Sequence, residues 1–413
     1  MTFQLPVDAG TVRPGRRSEC RLCEHAVTTP FLTLGRVPAC NRFSRIAGVT
    51  AEIDLEIMAC ETCQLIQLRD APPPTTLMSR LPWIRYQEPE AHLDELTAEL
   101  LAVRPNARTA LGTGPFEQPL LSRLAAQGLT TKELGLGRSP TPGRYPYLES
   151  WQAGLNDAHL ATVAATAGTF DIVSCRYIVE HSPAPVDALR ALKQLVKPDG
   201  VLLIEVPDSS KFLAARDYCF LWEEHASYFV EDTLRRLAEM AGYRIRALLR
   251  YPGALEDALV AVLEAAEKPV PMRPALGASG LFQAYCDGFA PARDTVRARI
   301  AQAAGPERNR VALFGIGHHA IMFVNAFGLA DFIALAVDDD TDKAGFFPPG
   351  FRIPVVGSDR LLTDERIKLC LFAVAPHIEG KLRDKLAALG AGGVQFRSVY
   401  AALDNSILKD PEP

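Results

Sequence analysis

Two Cys-x-x-Cys pairs near the start of the chain constrain its fold more than any other feature. Cys20 and Cys23 form the first pair, and Cys60 and Cys63 form the second. Each pair can present two thiolates from one tight turn, and soft thiolate ligands make zinc the first choice of metal. Four cysteines fill a tetrahedral shell and leave no position for water, so the predicted zinc ion is structural. We therefore predict a zinc-binding β module over residues 1–75, with short strands at 31–34 and 55–58.

The chain has nine cysteines, and an odd number in a long chain argues against a disulfide framework. The cysteines outside the two pairs are scattered along the sequence. We expect these five to be small buried apolar residues: Cys40, Cys175, Cys219, Cys286 and Cys370.

Length and charge exclude several classes of protein. A chain of 413 residues predicts two or three domains. A net charge of -5 without a dense basic block argues against nucleic acid as a partner. The start does not resemble a secretory signal, and no uncharged apolar run approaches the roughly 20 residues that span a bilayer. We expect a cytoplasmic protein without a membrane partner, and the sequence does not indicate its oligomeric state.

Strand and helix patterns alternate through the middle of the chain, which predicts a parallel, doubly wound α/β sheet. We place this domain at residues 76–267, between proline-rich segments at 71–76 and 269–274, and expect a turn at residues 197–200. Ligands of such sheets bind at the carboxyl ends of the strands. The predicted strands lie at 109–114, 170–175 and 201–206, and the predicted helices at 91–103, 119–127, 184–196 and 233–242.

The last third, residues 268–413, predicts a second Rossmann-like domain. A strand from residue 310 enters a Gly-x-Gly turn, a helix follows at 320–327, and a second strand at 332–338 ends in an acidic residue. The alternative is a domain of this shape that binds no dinucleotide. His318 and His319, at the turn, either face an interdomain cleft or have no role.

Three segments carry a family resemblance. Residues 170–181 and 195–201 look like parts of a class I S-adenosylmethionine (SAM) methyltransferase. Residues 222–229, Trp-Glu-Glu-His-Ala-Ser-Tyr-Phe, resemble the EHxSYF signature of the three-domain sugar C-methyltransferases. Members of that family methylate C3 of nucleotide-linked 4-keto-deoxysugars. They have a four-cysteine zinc module, a methyltransferase domain and a C-terminal Rossmann-like domain, and all three can be matched here.

The resemblance implies roles for individual residues. Removal of a proton beside a ketone needs a base within hydrogen-bond reach, and His225 matches the family's base. Glu224 matches its paired acid, which either orients the imidazole or binds a sugar hydroxyl. The SAM contacts would come from Gly112, Thr113, Gly114 and Asp157, and the contacts to a nucleotide-sugar substrate from Trp83, Tyr86, Arg176, His181 and Trp222.

The sequence also departs from the family at its cofactor site. Ala110 and Gly137 stand where carboxylates are usual, and Pro115 and Phe116 follow the glycine turn. A cofactor-independent enzyme, or a non-catalytic binding protein on the same scaffold, therefore remains an alternative. Arg176 either holds a phosphate or carboxylate of the substrate, or pairs with Glu180 or Glu205.

Overall fold

The computed structural model describes residues 19–27, 32–48, 52–72, 77, 81, 88–134, 155, 157–266, 279–305 and 309–410. Most of the two proline-rich segments lies outside these ranges. The described residues form three separate sheets of four, six and five strands. The predicted α/β architecture, with an N-terminal β module and two Rossmann-like sheets, is confirmed.

The first sheet belongs to the cysteine-rich module. It contains β1 (Leu32–Pro38), β2 (Glu52–Ala59) and β3 (Ile66–Leu68), all antiparallel. The predicted strand at 55–58 lies inside β2, and the one at 31–34 overlaps β1. Alternation along β2 buries Ile53, Leu55 and Ile57 against the core. This alternation accounts for the strand, because it places apolar side chains on the face that packs against the core.

The central sheet is the scaffold of the middle domain. Its order is β5-β4-β6-β7-β10-β9, with β5, β4, β6 and β7 parallel and β10 antiparallel to both of its neighbours. Its strands are β4 (Thr109–Gly112), β5 (Thr130–Glu133), β6 (Phe170–Arg176), β7 (Val196–Asp208), β9 (Tyr243–Tyr251) and β10 (Asp257–Ala265). Its helices are α1 (Leu93–Val103), α2 (Gln118–Ala126), α3 (Asp157–Ala167), α4 (Pro185–Leu192), α5 (Ser209–Ala215) and α6 (Glu231–Met240).

The turn predicted at residues 197–200 is wrong, because these residues lie within β7. Phe170 pairs with Val196 and Ile172 pairs with Val201, so the four residues form a bulge in a continuing strand. A Cβ on Gly200 would lie 2.9 Å from the carbonyl oxygen of Phe170, which explains the glycine at this close approach. The Pro-Asp-Gly sequence interrupts the pairing here without reversing the chain.

The third sheet is entirely parallel, in the order β13-β12-β11-β14-β15. Its strands are β11 (Val311–Phe314), β12 (Ile333–Val337), β13 (Val355–Val356), β14 (Leu369–Phe372) and β15 (Gln395–Ser398). The helices around it are α7 (Ser279–Ala304), α8 (His318–Phe327), α9 (Ser358–Thr363), α10 (Pro376–Lys385) and α11 (Ala387–Ala391). The strand–turn–helix predicted from residue 310 is confirmed, with α8 beginning at His318 directly after the glycine turn.

The segment at residues 217–229, which we call the junction segment, contacts each of the three domains that contain these sheets. Its last part, β8 (Ser227–Tyr228), pairs with β3 and so adds a fourth strand to the cysteine-rich sheet. Asp217 accepts a hydrogen bond from the backbone N–H of Ala401 at 2.9 Å. The segment that resembles the family signature is therefore fixed where the three parts of the chain meet. None of the helices in the described ranges is both long and apolar enough to cross a bilayer.

Candidate active site and metal centre

The four cysteines of the two Cys-x-x-Cys pairs converge in space. Sγ of Cys20 lies 3.4 Å from Sγ of Cys63, and Sγ of Cys23 lies 3.5 Å from Sγ of Cys60. All four sulfur atoms lie within 4.8 Å of one another. Gln67 in β3 accepts a hydrogen bond from the N–H of Arg21 at 2.9 Å, which ties the first turn to the sheet. Sulfurs at this spacing fit a tetrahedral zinc ion bound by thiolates about 2.3 Å away.

His225 lies in the interior of the junction. Its residue surface is 8% exposed. The His181 ring stands edge-on to it with the centroids 4.6 Å apart, and the Trp222 ring lies 5.1 Å away. His181 follows strand β6, so the end of the central sheet reaches this histidine. The predicted base and two predicted substrate residues, His181 and Trp222, are thus brought together.

Trp222 links His225 to the C-terminal domain. Its indole N–H donates to the carbonyl of Cys219 at 3.0 Å, and its own carbonyl accepts from the Tyr228 hydroxyl at 2.8 Å. The His318 ring stacks on the indole with the centroids 4.4 Å apart and the planes at 26°. His318 therefore faces the junction of the domains, as one of the two sequence alternatives proposed.

Burial keeps His225 and His181 neutral. Desolvation lowers the pKa of His225 well below its usual value, and His181 and His318 lower it further. Burial likewise lowers the pKa of His181 to about 3. Nδ1 of His181 lies 3.0 Å from the carbonyl oxygen of Glu224. Because that oxygen can only accept, Nδ1 carries the proton of the neutral ring and Nε2 carries the lone pair.

The two glutamates before His225 are both buried and are tied to the cysteine-rich module. Asn41 Nδ2 donates to Oε1 of Glu224 at 3.1 Å. The N–H of Cys40 donates to Oε1 of Glu223 at 2.6 Å. Glu224 therefore contacts His181 through its backbone and the module through its carboxylate. Sequence reasoning missed Glu223, Asn41 and the polar surroundings of Cys40, and the Glu-Glu doublet was the one local signal for them.

The glycine turn after β4 packs closely on its own helix. A Cβ on Gly112 would lie 2.4 Å from Cβ of Glu117, so the absence of a side chain at Gly112 leaves space for the Glu117 side chain. Thr113 Oγ1 donates to the carbonyl of Ser174 at 2.8 Å. A Cβ on Gly114 would lie 3.1 Å from the Ile178 side chain and 3.3 Å from Oε1 of Glu117. Glu117, which the sequence analysis did not single out, thus fills the inner side of the predicted cofactor turn.

Carboxyl groups gather at the same end of the central sheet. Burial raises the pKa of Glu117 to about 7 and that of Glu180 well above its usual value. Burial raises the pKa of Glu88 to about 8 and that of Glu256 to about 7, and both groups add to the shift of Glu180. A cation bound beside these carboxyl groups would lower their raised pKa values and favour the charged carboxylates. The sulfonium and ammonium groups of SAM are cations, so the residues present fit that cofactor by charge.

Arg176 forms an ion pair with Glu205, which is one of the alternatives that the sequence left open. Its side chain is 1% exposed, and its Nε donates to Oε2 of Glu205, which is itself fully buried. Its other nitrogens donate to the carbonyls of Phe116 at 2.6 Å and Pro89 at 3.2 Å. The guanidinium is thus held between the end of β6 and neighbouring loops by internal partners.

The remaining predicted site residues are Asp157, Trp83 and Tyr86. Asp157 is exposed at the start of α3, where Gln194 Nε2 donates to its carboxylate at 3.1 Å. Trp83 and Tyr86 lie outside the described residues. The roles assigned to these three residues stay predictions.

Comparison with known proteins gives the same three-part organisation. A model of a candidate zinc binding domain matches residues 20–77. A methyltransferase domain matches residues 83–248, and a C-methyltransferase C-terminal domain matches residues 258–399. The three matches follow one another and together span most of the chain.

Individual relatives are also methyltransferases. The C-methyltransferase NovU of Streptomyces niveus is 24% identical over 367 residues, which cover 82% of this chain and 85% of that protein. A ubiquinone biosynthesis O-methyltransferase of Haemophilus ducreyi is 32% identical over 76 residues, only 18% of this chain and 32% of that enzyme. The solved structure of 1,6-didemethyltoxoflavin-N1-methyltransferase from Burkholderia thailandensis aligns with 42% of this chain and 79% of its own, at 16% identity and a TM-score of 0.28. The three matched domains and the extent of the NovU match show that this protein is a methyltransferase, similar over most of its length to C-methyltransferases with a zinc-binding module.

Proposed function

We propose that this protein transfers a methyl group from SAM to the carbon beside the carbonyl of a nucleotide-linked keto-deoxysugar, with His225 as the general base. The observation that carries the proposal is the place of His225. A buried, neutral imidazole lies in the signature segment between the end of the central sheet and the C-terminal domain. The assignment of a sugar as the substrate rests on the resemblance of residues 222–229 to the sugar C-methyltransferases.

The base must first take a proton from carbon. When the C–H bond beside the carbonyl breaks, the proton passes to the lone pair of the His225 imidazole and the electron pair moves into an enolate. Because its pKa is lowered, His225 is unprotonated at neutral pH and need not lose a proton before it reacts. The same lowered pKa makes the imidazolium a ready proton donor, so His225 returns the proton to solvent after the reaction.

SAM, when bound, would supply an electrophilic methyl group for the enolate carbon and would leave as S-adenosylhomocysteine. In this chain the turn Gly112–Gly114 and the carboxyl groups of Glu117 and Glu180 would hold the cationic part of SAM at the end of the sheet. His181 lies between this end and His225, with its Nδ1–H directed at the Glu224 carbonyl. Its position supports a role in orienting the substrate carbonyl or hydroxyl beside the base. Trp222 would cover the other side of the sugar.

The cysteine-rich module has a supporting role in the proposal. We infer that Cys20, Cys23, Cys60 and Cys63 bind a structural zinc ion. The sheet that this ion would hold together pairs with β8, directly after His225. The zinc would therefore fix the position of the base without taking part in the reaction.

Proton exchange at carbon tests the role of His225 separately from methyl transfer. The wild-type protein, incubated in D2O with a nucleotide-linked 4-keto-deoxyhexose, should exchange the proton beside the carbonyl, as followed by NMR. His225→Gln should slow both this exchange and methyl transfer by about 10²- to 10⁴-fold, the usual contribution of a general base. His319→Gln is the matched control, since His319 also contacts Trp222, with ring centroids 5.2 Å apart. Exchange that is as fast in His225→Gln as in the wild type would remove His225 from the mechanism.

Calorimetric titration with S-adenosylhomocysteine tests the donor site. Binding in the micromolar range supports the proposal. Binding that fails at millimolar ligand, together with proton exchange that persists, would favour the cofactor-independent alternative.

A further inference from the structure

A second group of metal-ligand side chains lies at the junction, apart from the four-cysteine centre. Cys40 follows β1 of the cysteine-rich module, Glu223 belongs to the junction segment, and His318 begins α8 of the C-terminal domain. The three potential ligand atoms all lie within 4.8 Å of one another. Each of the three parts of the chain thus contributes one ligand-type side chain to the same point.

Two of these side chains, His318 and Glu223, meet in the interior of the junction. Nε2 of His318 and Oε2 of Glu223 are 3.2 Å apart, and both atoms are buried. Neither makes a hydrogen bond of acceptable geometry with any residue in the described part of the chain. Two ligands of one tetrahedral zinc ion, at about 2.0–2.1 Å from the metal, lie about 3.3 Å apart. The pair has the spacing of ligands that point at a shared ion.

The ligands are also held in place by their surroundings. Oε1 of Glu223 accepts from the N–H of Cys40 at 2.6 Å, which leaves Oε2 directed at His318. Trp222 stacks on the His318 ring and fixes its plane. Outer contacts of this kind orient the ligands of metal sites in proteins. Cys40 is 3% exposed and Glu223 is 1% exposed, so a metal at this point would be largely shielded from solvent.

We propose that Cys40, Glu223 and His318 bind a second zinc ion that joins the three parts of the chain. A thiolate, an imidazole and a carboxylate are all ligands of zinc, and the thiolate disfavours magnesium or calcium. Three protein ligands leave one tetrahedral position open, unlike the closed four-cysteine centre. That position would take water or an oxygen atom of a bound ligand. The proposal does not depend on the identity of the methyl acceptor or on His225 acting as a base.

The metal content of the full chain tests this proposal. We expect two zinc ions per chain by elemental analysis, and one in Cys40→Ser, Glu223→Gln and His318→Asn. His319→Asn changes the adjacent histidine at the start of α8 and should retain two zinc ions per chain. Circular dichroism and retention of the first zinc ion show that each variant has folded. Cobalt added as the second equivalent should give a thiolate charge-transfer band that Cys40→Ser lacks.

Two results would overturn the proposal of a second zinc ion at Cys40, Glu223 and His318. Wild-type protein that carries one zinc ion and takes up no second equivalent, when titrated with zinc chloride against a chelating indicator, would overturn the proposal. Glu180, His181 and His225 form another group whose ligand atoms lie within 4.8 Å of one another. A second ion that is lost in Glu180→Gln but retained in Cys40→Ser and His318→Asn would place the metal there and would equally overturn the assignment.

Discussion

Removal of the buried Arg176 guanidinium should destabilise the central domain rather than weaken substrate binding. In Arg176→Met the apolar part of the side chain is kept and the charge is lost. Among the described residues, the carboxylate of Glu205, which is fully buried, would then keep its contact with His92, whose Nε2 lies 2.8 Å from Oε1. The carbonyls of Phe116 and Pro89 would also lose their donor.

The size of the effect follows from this burial. Breaking a buried ion pair by removing one partner costs about 3–5 kcal/mol, because the other charge is left uncompensated. For a domain of this size each kcal/mol lowers the melting temperature by roughly 2–4 °C, so we expect a decrease of about 6–20 °C. Replacing both partners, as in Arg176→Met with Glu205→Gln, should recover part of the loss.

Urea unfolding followed by circular dichroism, together with methyl-transfer kinetics, measures both outcomes. Arg244→Met is the matched control, because Arg244 is 61% exposed and pairs with Glu264 across 3.6 Å. Such a surface pair contributes about 1 kcal/mol or less. If Arg176→Met unfolds within about 1 kcal/mol of the wild type while KM for the proposed nucleotide-sugar substrate rises, Arg176 is a substrate anchor and our interpretation of the ion pair is wrong.

Three further predictions concern the zinc module, a buried acid and the glycine turn. Cys63→Ala should lose one zinc ion per chain and melt at a lower temperature, because structural zinc binding contributes directly to folding; unchanged zinc content would contradict the assignment. The pKa of Asp217 is raised to about 6, chiefly by burial, so its ionisation costs stability as the pH rises from about 4 to 6. Asp217→Asn should therefore gain on the order of 2–3 kcal/mol over the wild type between pH 4 and pH 7 in urea titrations, and a constant difference would refute the shift. Gly112→Ala should lose about 1–3 kcal/mol against the Glu117 side chain, whereas Gly380→Ala, in an open helical position, should be neutral or stabilising in the same thermal melts.

Local spacing in the sequence was sufficient for several features of this protein. The two Cys-x-x-Cys turns indicated the four-cysteine centre, since each turn fixes two ligands within four residues. Apolar strands followed by a glycine turn indicated β4 and β11, whereas His225 was identified only by the resemblance of residues 222–229 to a family signature. Only local chain geometry and burial pattern are needed for such inferences. The bulge at residues 197–200 was missed because a Pro-Asp-Gly sequence favours a turn, while pairing with β6 continues the strand on both sides.

Which distant residues meet was decided by the tertiary structure alone. Arg176 had two possible carboxylate partners in the sequence, and the packing of β6 beside β7 selected Glu205. Cys40 lies 183 residues from Glu223 in the chain, and they meet because β8 pairs with β3 and carries the junction segment onto the cysteine-rich module. Periodicity shows which face of a strand or helix is buried, but it contains no information about the element that covers that face. The partners of His225, Glu223 and His318 therefore depend on how three separately patterned sheets pack together.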